Sequence, residues 1–258
     1  MKSKISIVKI GGNIIDDENA LDSFLADFSV INHAKILIHG GGKIANKLND
    51  KLGIKTIFHE GRRITSSENL DTVTMVYAGL INKRIVAKLQ GNKCNALGLS
   101  GADGNCILAT KRPKDPIDFG WVGDVKSINA KAINLFLQNG LTPVFSAISH
   151  DGNGQLLNTN ADTVASEIAI ALSPNFDVEL TYCFEKQGVL QDAKDDNSFI
   201  PLINSEKYME LKENKIISDG MLPKMENSFH ALKNNVSKVF IGSKLAINKT
   251  EKCTTLTL

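Results

Sequence analysis

The chain has 258 residues, 42% hydrophobic and 22% charged, which is enough to bury a full core and excludes a disordered or fibrous protein. Lys plus Arg (30) nearly balances Asp plus Glu (28), so a net charge of +2 gives no reason to invoke nucleic acid or an anionic membrane, and anion binding has to be local. Cys94, Cys106, Cys183 and Cys253 lack metal-ligand or redox spacing and read as buried thiols of a reducing cytoplasm, and no apolar run reaches the roughly 18 residues of a membrane span.

The pattern opens as strand, glycine turn, helix, twice over. Ile5-Ser6-Ile7-Val8-Lys9-Ile10 feeds Gly11-Gly12, and a helix is predicted over 18–28; the strand 35–39 feeds Gly40-Gly41-Gly42, with a helix over 43–52. Consecutive glycines after a strand let backbone N–H groups crowd against an anion, and a helix start adds positive dipole. Either turn alone is equally well a tight connection; two within 45 residues argue for anions. Neither matches G-x-x-x-x-G-K-[ST] or G-x-G-x-x-G, so no P-loop or dinucleotide site is indicated. Lys9, next to the first glycine pair, is placed to neutralise a phosphate as a point charge.

A long helix is expected over about 67–90, capped by Ser66 or Ser67, then strands over 94–99 and 106–110 around a Gly101 to Gly104 turn. The segment 111–125 carries two prolines and reads as a hairpin excursion whose basic run is solvated. The rhythm returns with a helix over 129–139, a strand over 142–147, a glycine-rich loop, a helix over 161–172 and a strand over 177–182. Helices over 205–213 and about 221–234 and strands over 238–242 and 254–258 complete the sheet. The best internal division falls near residue 150, between halves 1–150 and 151–258 of a single domain.

In the second half Asn160 caps the 161–172 helix and puts Asp162 in its first turn, where an acid at minimum complements the helix dipole. Asn158, two residues earlier, offers an amide to a ligand. In Ile216-Ile217-Ser218-Asp219-Gly220-Met221-Leu222-Pro223-Lys224, Ser218 or Asp219 caps a helix with Pro223 in its opening turn. Lys224 there opposes the dipole, which favours an anion beside it.

Together Lys9-Ile10-Gly11-Gly12, the Gly40 to Gly42 turn, Glu60-Gly61-Arg62-Arg63-Ile64-Thr65, Asn158 to Asp162 and Ser218 to Lys224 resemble the amino acid kinase family, in order over about the first 240 residues. The resemblance implies a three-layer α/β/α sandwich with a mainly parallel sheet, its N-terminal half binding an acyl amino acid and its C-terminal half binding ATP. It is similar to those members that phosphorylate the γ-carboxylate of an N-acyl-L-glutamate, by default N-acetyl-L-glutamate, in arginine biosynthesis. By that likeness Lys9, Lys224 and Asp162 are catalytic, while Gly41, Gly42, Arg63, Asn158 and Asn160 bind the acceptor. Gly11, Gly12, Cys183, Phe184, Gly188, Ile216, Ile217 and Ser218 would meet ATP. Mg²⁺ would be held mainly by phosphates and water, and no protein ligand is named for it. An N-succinyl acceptor would need one further cation, such as Arg62 or Lys43.

One departure stands out: Leu180-Thr181-Tyr182-Cys183-Phe184-Glu185-Lys186-Gln187-Gly188 replaces an aspartate-bearing strand end and lengthens the loop that would contact the nucleotide. The lack of a helix before Ile5 and the short stretch after Gly242 lead to the expectation of a simple homodimer rather than an arginine-inhibited hexamer. A sister kinase for aspartate, glutamate or a nucleoside monophosphate, a non-catalytic amino acid or nucleotide sensor, and a dinucleotide-dependent oxidoreductase are the competing readings. The missing fingerprint disfavours the last.

Overall fold

A computed structural model describes residues 2–192, 194–217, 221–248 and 253–258. β1 (Ser3–Ile10) passes through α1 (Gly12–Asp16) to α2 (Glu18–Ser29), and β2 (Ala34–His39) leads into α3 (Gly42–Leu52). A hairpin of β3 (Ile57–His59) and β4 (Arg62–Ile64) precedes α4 (Ser67–Thr74), a π-helical stretch Met75–Ile81 and α5 (Asn82–Gly91). β5 (Ala96–Leu99), β6 (Ile107–Lys111), β7 (Gly123–Ile128), α6 (Ala130–Gln138) and β8 (Thr142–Ser146) follow. Next come β9 (Ile148–His150), β10 (Leu156–Asn158), α7 (Ala161–Leu172), β11 (Phe176–Cys183) and β12 (Leu202–Ile203). The chain closes with α8 (Ser205–Glu213), α9 (Met221–Lys233), β13 (Lys238–Gly242) and β14 (Thr254–Leu256).

Eight strands form the central sheet in the order β12-β14-β13-β11-β1-β2-β8-β5, every neighbour parallel except β13 with β14. Parallel strands need crossovers, and crossover helices cover both faces, which is why β1, β2 and β11 read as unbroken apolar runs. Two cores result. Ile5 and Ile7 of β1, with Val178, Leu180 and Tyr182 of β11, pack beneath α6, α7 and α9. Val8, Ile10 and Cys183 face the opposite layer of α2, α3, α4 and α5. This period of two sends the Lys9 side chain toward α7 and α9.

Outside the sandwich, β10, β9, β6 and β7 make a second sheet in that order, and residues 151–155 turn β9 into β10. The sequence shows no period for β3, β4, β9, β10 or β12, because two or three residues are too few to display one. The helix expected over 67–90 is interrupted by the π stretch, and β5 starts at Ala96 rather than residue 94 because Cys94 N–H still closes a turn onto Leu89. The terminal strand ends at Leu256 rather than at residue 258. The 111–125 excursion is the β6–β7 hairpin end, but its basic run is not simply solvated: Arg112 pairs with both oxygens of Asp124 and Lys111 lies over the Trp121 ring at 3.8 Å. Among the described residues no helix is long and apolar enough to cross a membrane.

Candidate active site

Three charged side chains from three elements meet beyond the C-terminal end of the central strand β1. Lys9 is the next-to-last residue of β1, Asp162 leaves the first turn of α7 and Lys224 the first turn of α9. Lys9 Nζ lies 2.7 Å from Asp162 Oδ1, and Lys224 Nζ lies 2.8 Å from Oδ2, so one carboxylate bridges two ammonium groups. Asn160 sets the aspartate in place: its side-chain oxygen accepts from the Asp162 and Thr163 amides at 2.8 and 3.1 Å, which fixes the start of α7. Burial alone would raise the Asp162 carboxyl, but the two ammonium charges outweigh it and hold the group well below the usual carboxylate range. Lys224 moves the other way. Burial and repulsion from Lys9 lower it below the ordinary lysine value against the pull of Asp162, so the anion that offsets its place at a helix start is this carboxylate.

Lys9 and Asp162 open into a cleft of about 400 Å³ also lined by Gly12, the Gly40 to Gly42 turn, Arg63, Asn158 and Asn160, whereas Lys224 does not line it and reaches it through Asp162. α3 begins at Gly42 with no capping side chain, so its first amides remain open at the cleft. Any side chain at Gly41 would press on the π stretch, where an added Cβ would sit 2.2 Å from Ile81 Cδ1 and 3.1 Å from Tyr77 Cδ1. The turn is also held from behind. His39 is fully buried, its Nδ1 at 2.9 Å from the Gly40 carbonyl and its Nε2 at 3.0 Å from the Asn82 amide nitrogen. A carbonyl on one side and an N–H on the other require the neutral ring with its proton on Nδ1, and burial pushes the imidazole down to about 4.

Arg63 shapes the far wall. One guanidinium nitrogen, Nη2, donates to Asn46 Oδ1 and to the Gly42 carbonyl, and the plane lies over Phe58 at 5.2 Å. The other, Nη1, is buried with no hydrogen-bond partner. An unsatisfied buried donor of a cation is costly, so a cleft built this way is shaped for an anionic ligand. Asn158 Nδ2 donates to Thr65 Oγ1, leaving its carbonyl oxygen for a ligand.

Several expected contacts fall elsewhere. The Gly11 amide donates to the Cys183 carbonyl at 2.9 Å, so it ties β1 to β11 instead of meeting an anion. Cys183 and Ile217 are buried in the cores, so their side chains face away from any ligand, and Ile216 and Phe184 pack half-buried against the α7–α9 core. Gly188 sits tight against β14, where a Cβ would lie 2.4 Å from Thr254 Oγ1. Ser218 lies outside the described residues. Lys43 bonds to Asn13 and lies 3.8 Å from Asp16, and it does not line the cleft; Arg62 does. Sequence reasoning missed Phe58, Tyr77, Arg112, Val122, Glu226 and Asn227 on the cleft wall. Tyr77 is carried in by the π stretch, and no local signal announces one.

Cations and open amides converge on this cleft around the Asp162 carboxylate, which is already committed to two lysines, and this is the equipment of an enzyme that moves phosphoryl groups. The comparisons give the class its family. The amino acid kinase family model matches residues 4–243, and the chain belongs to that family. An acetylglutamate kinase of Cytophaga hutchinsonii is 55% identical over 92% of this chain and 90% of its own length. One from Phocaeicola vulgatus is 51% identical over 96% and 97%. The crystal structure of smu.665 from Streptococcus mutans UA159 superposes with a TM-score of 0.81 at 26% identity, covering 98% of both chains. The three-layer fold and a phosphotransferase activity follow.

Proposed function

We propose that this chain transfers the γ-phosphoryl group of ATP to the γ-carboxylate of N-acetyl-L-glutamate, giving the acyl phosphate in arginine biosynthesis. The observation that carries this reading is the partnerless Arg63 Nη1 across the cleft from the Lys9–Asp162–Lys224 row: one cation for a fixed carboxylate, two for a phosphoryl group. Attack by a carboxylate needs no general base, since a glutamate side chain of pKa about 4.3 is already ionised at neutral pH. An acceptor oxygen bonds to the γ-phosphorus as the bond to the ADP oxygen breaks, and no proton moves. What remains is positioning and charge.

Lys9 and Lys224 steady the moving phosphoryl group, Asp162 spaces them, and Gly12, Gly41 and Gly42 line its path. Arg63 takes the α-carboxylate, Asn158 stands beside it with its carbonyl oxygen open to a donor such as the acyl amide N–H, and Asn160 acts through the helix start it caps. The acceptor belongs to the 1–150 lobe and ATP to the 151–258 lobe, near Phe184 and the backbone of Gly188. Mg²⁺ would supply charge neutralisation between phosphates. The chemistry of the donors fits a metal carried in by ATP: Asp162 is the only carboxylate of the row, and both of its oxygens are already engaged by lysines. The setting is cytoplasmic, which burial of all four cysteines as thiols supports.

The test is a hydroxylamine trap for acyl phosphate with ATP, Mg²⁺ and a panel of acceptors. N-acetyl-L-glutamate should give hydroxamate and free glutamate should not. Phosphorylation of free glutamate, aspartate or a nucleotide without any acyl-glutamate product would overturn the assignment. An N-succinyl acceptor is the second reading, favoured by Arg62 on the cleft wall, and the same panel separates the two.

Arg63→Lys should raise KM for the acyl amino acid about tenfold or more and leave KM for ATP nearly unchanged, because an ammonium cannot reproduce the planar fork. Steady-state kinetics with each substrate varied in turn checks this; equal effects on both would move Arg63 off the acceptor. The assembly we propose is a homodimer, supported by the exposed apolar Met75 and Leu80 of the π stretch. Light scattering after size exclusion should give twice the chain mass, and a monomer or a hexamer would refute it.

A further inference from the structure

Tyr182 is fully buried where the three charged elements cross. It stands opposite Lys9 in the parallel register of β1 and β11, so both side chains leave the sheet on the α7 and α9 face. Its hydroxyl donates to the main-chain carbonyl of Asp162 at 3.1 Å. Its ring lies against Lys224, with Nζ 4.8 Å from the centroid. Burial, with the Asp162 charge adding to it, holds the phenol well above its ordinary range, so it stays protonated and does no acid–base work. The hydroxyl is spent on a peptide carbonyl and the ring on an ammonium; neither is left for a substrate.

We propose that Tyr182 is a positioning residue for phosphoryl transfer, fixing Lys224 through its ring and the Asp162 turn through its hydroxyl. This rests on the phosphoryl-transfer reading of the row. The ring face is electron-rich and attracts an ammonium without neutralising it. Lys9, Asp162 and Lys224 together therefore keep a surplus of one positive charge for the phosphoryl group, where a carboxylate at position 182 would cancel it. The titratable groups that act on Lys224 are Asp162 on α7, Lys9 on β1 and Tyr182 on β11, with the Cys183 thiol near it from the opposite face of the sheet. Of these only Asp162 and Tyr182 pull the ammonium into place, because Lys9 repels it and burial keeps the thiol protonated.

The experiment compares Tyr182→Phe, which keeps the ring, with Tyr182→Leu and Tyr182→Met, which remove it. Each is read by kcat, both KM values and the pH profile of kcat. In parallel, labelling of Lys224 by an amine-reactive anhydride across pH is followed by peptide mass spectrometry. Tyr182→Phe should keep kcat within about threefold of wild type. The ring-less variants should lose about tenfold in kcat with KM for the acceptor nearly unchanged. Their alkaline limb and the Lys224 labelling midpoint should both fall by roughly half a pH unit or more, since losing the ring disfavours the charged ammonium. A folded ring-less variant with wild-type kcat and an unmoved labelling midpoint overturns the proposal; if Leu fails to fold, Met decides. The labelling needs no turnover. If wild type phosphorylated no acceptor while the midpoint still moved, the kinase reading would fall and the hold of Tyr182 on Lys224 would stand.

Discussion

Lys9→Ala and Lys224→Ala are each expected to lower kcat by about 10² or more, while KM for the acceptor changes far less. The reason is where the charge is needed. Two anions, the γ-phosphate of ATP and the acceptor carboxylate, must approach in line, and their repulsion peaks as the phosphoryl group passes between them. An ammonium held in a buried site acts there without the reorganisation that water would require. Both lysines are largely buried, with side chains 14% and 11% exposed, and both are held on one carboxylate. Removing either leaves one ammonium against the Asp162 carboxylate, so a single deletion takes away the whole positive surplus of the row. The effects should be non-additive, the double variant being little worse than the poorer single. ADP release at saturating substrates measures it. A single variant with near wild-type kcat would remove the two lysines from the transfer step.

The same row shows what a sequence can and cannot announce. β1, β2 and β11 are legible because strands covered on both faces are continuous apolar runs, and α7 is legible from Asn160 and its buried stripe. Lys9, Arg63, Asp162 and Lys224 are far apart in the chain; the parallel sheet brings the end of β1 and the starts of α7 and α9 together, and the β3–β4 hairpin adds Arg63 from outside it. That convergence is a property of topology. Local residue patterns could point to each end as an anion site without saying that the ends meet.

Other features stay hidden because they arise between elements. The Gly11 amide looks free in the sequence and is spent on the Cys183 carbonyl of a neighbouring strand. Tyr77 reaches the cleft only because the 67–91 helix widens into a π turn, and the hydrophobic period barely registers one extra residue. Arg112 reads as part of a solvated basic run until the hairpin folds back and gives it Asp124. His39 reads as the last residue of an apolar strand, with its task set by a carbonyl and by an amide 43 residues away.

Asp162→Asn is expected to cost both stability and turnover, by routes that can be separated. In the wild-type chain the carboxyl is held below its ordinary range, so the two ammonium partners stabilise the fold. A depressed carboxyl contributes stability that is complete above its unfolded pKa of about 3.9 and is lost as pH falls toward and through the folded value. At neutral pH the contribution is therefore whole, and the asparagine, a neutral isostere, removes it there. Breaking a buried pair by deleting one partner costs about 3–5 kcal/mol, chiefly through the charges left behind. For a chain of this size that corresponds to a fall in Tm of roughly 10 °C at pH 7. The gap should narrow as pH is lowered below the carboxylate range, where wild type loses the same interaction. A phosphate-bearing ligand restores an anion to the two lysines, so MgADP or pyrophosphate should raise the Tm of Asp162→Asn more than that of wild type. kcat should fall by about 10² even at saturating ATP, because the lysines then meet the phosphoryl group without the carboxylate that spaces them. Scanning calorimetry with and without pyrophosphate, paired with ADP release, distinguishes the two. A variant that melts with wild type at pH 7 and gains nothing extra from pyrophosphate would show that Asp162 does not hold the two ammonium groups together.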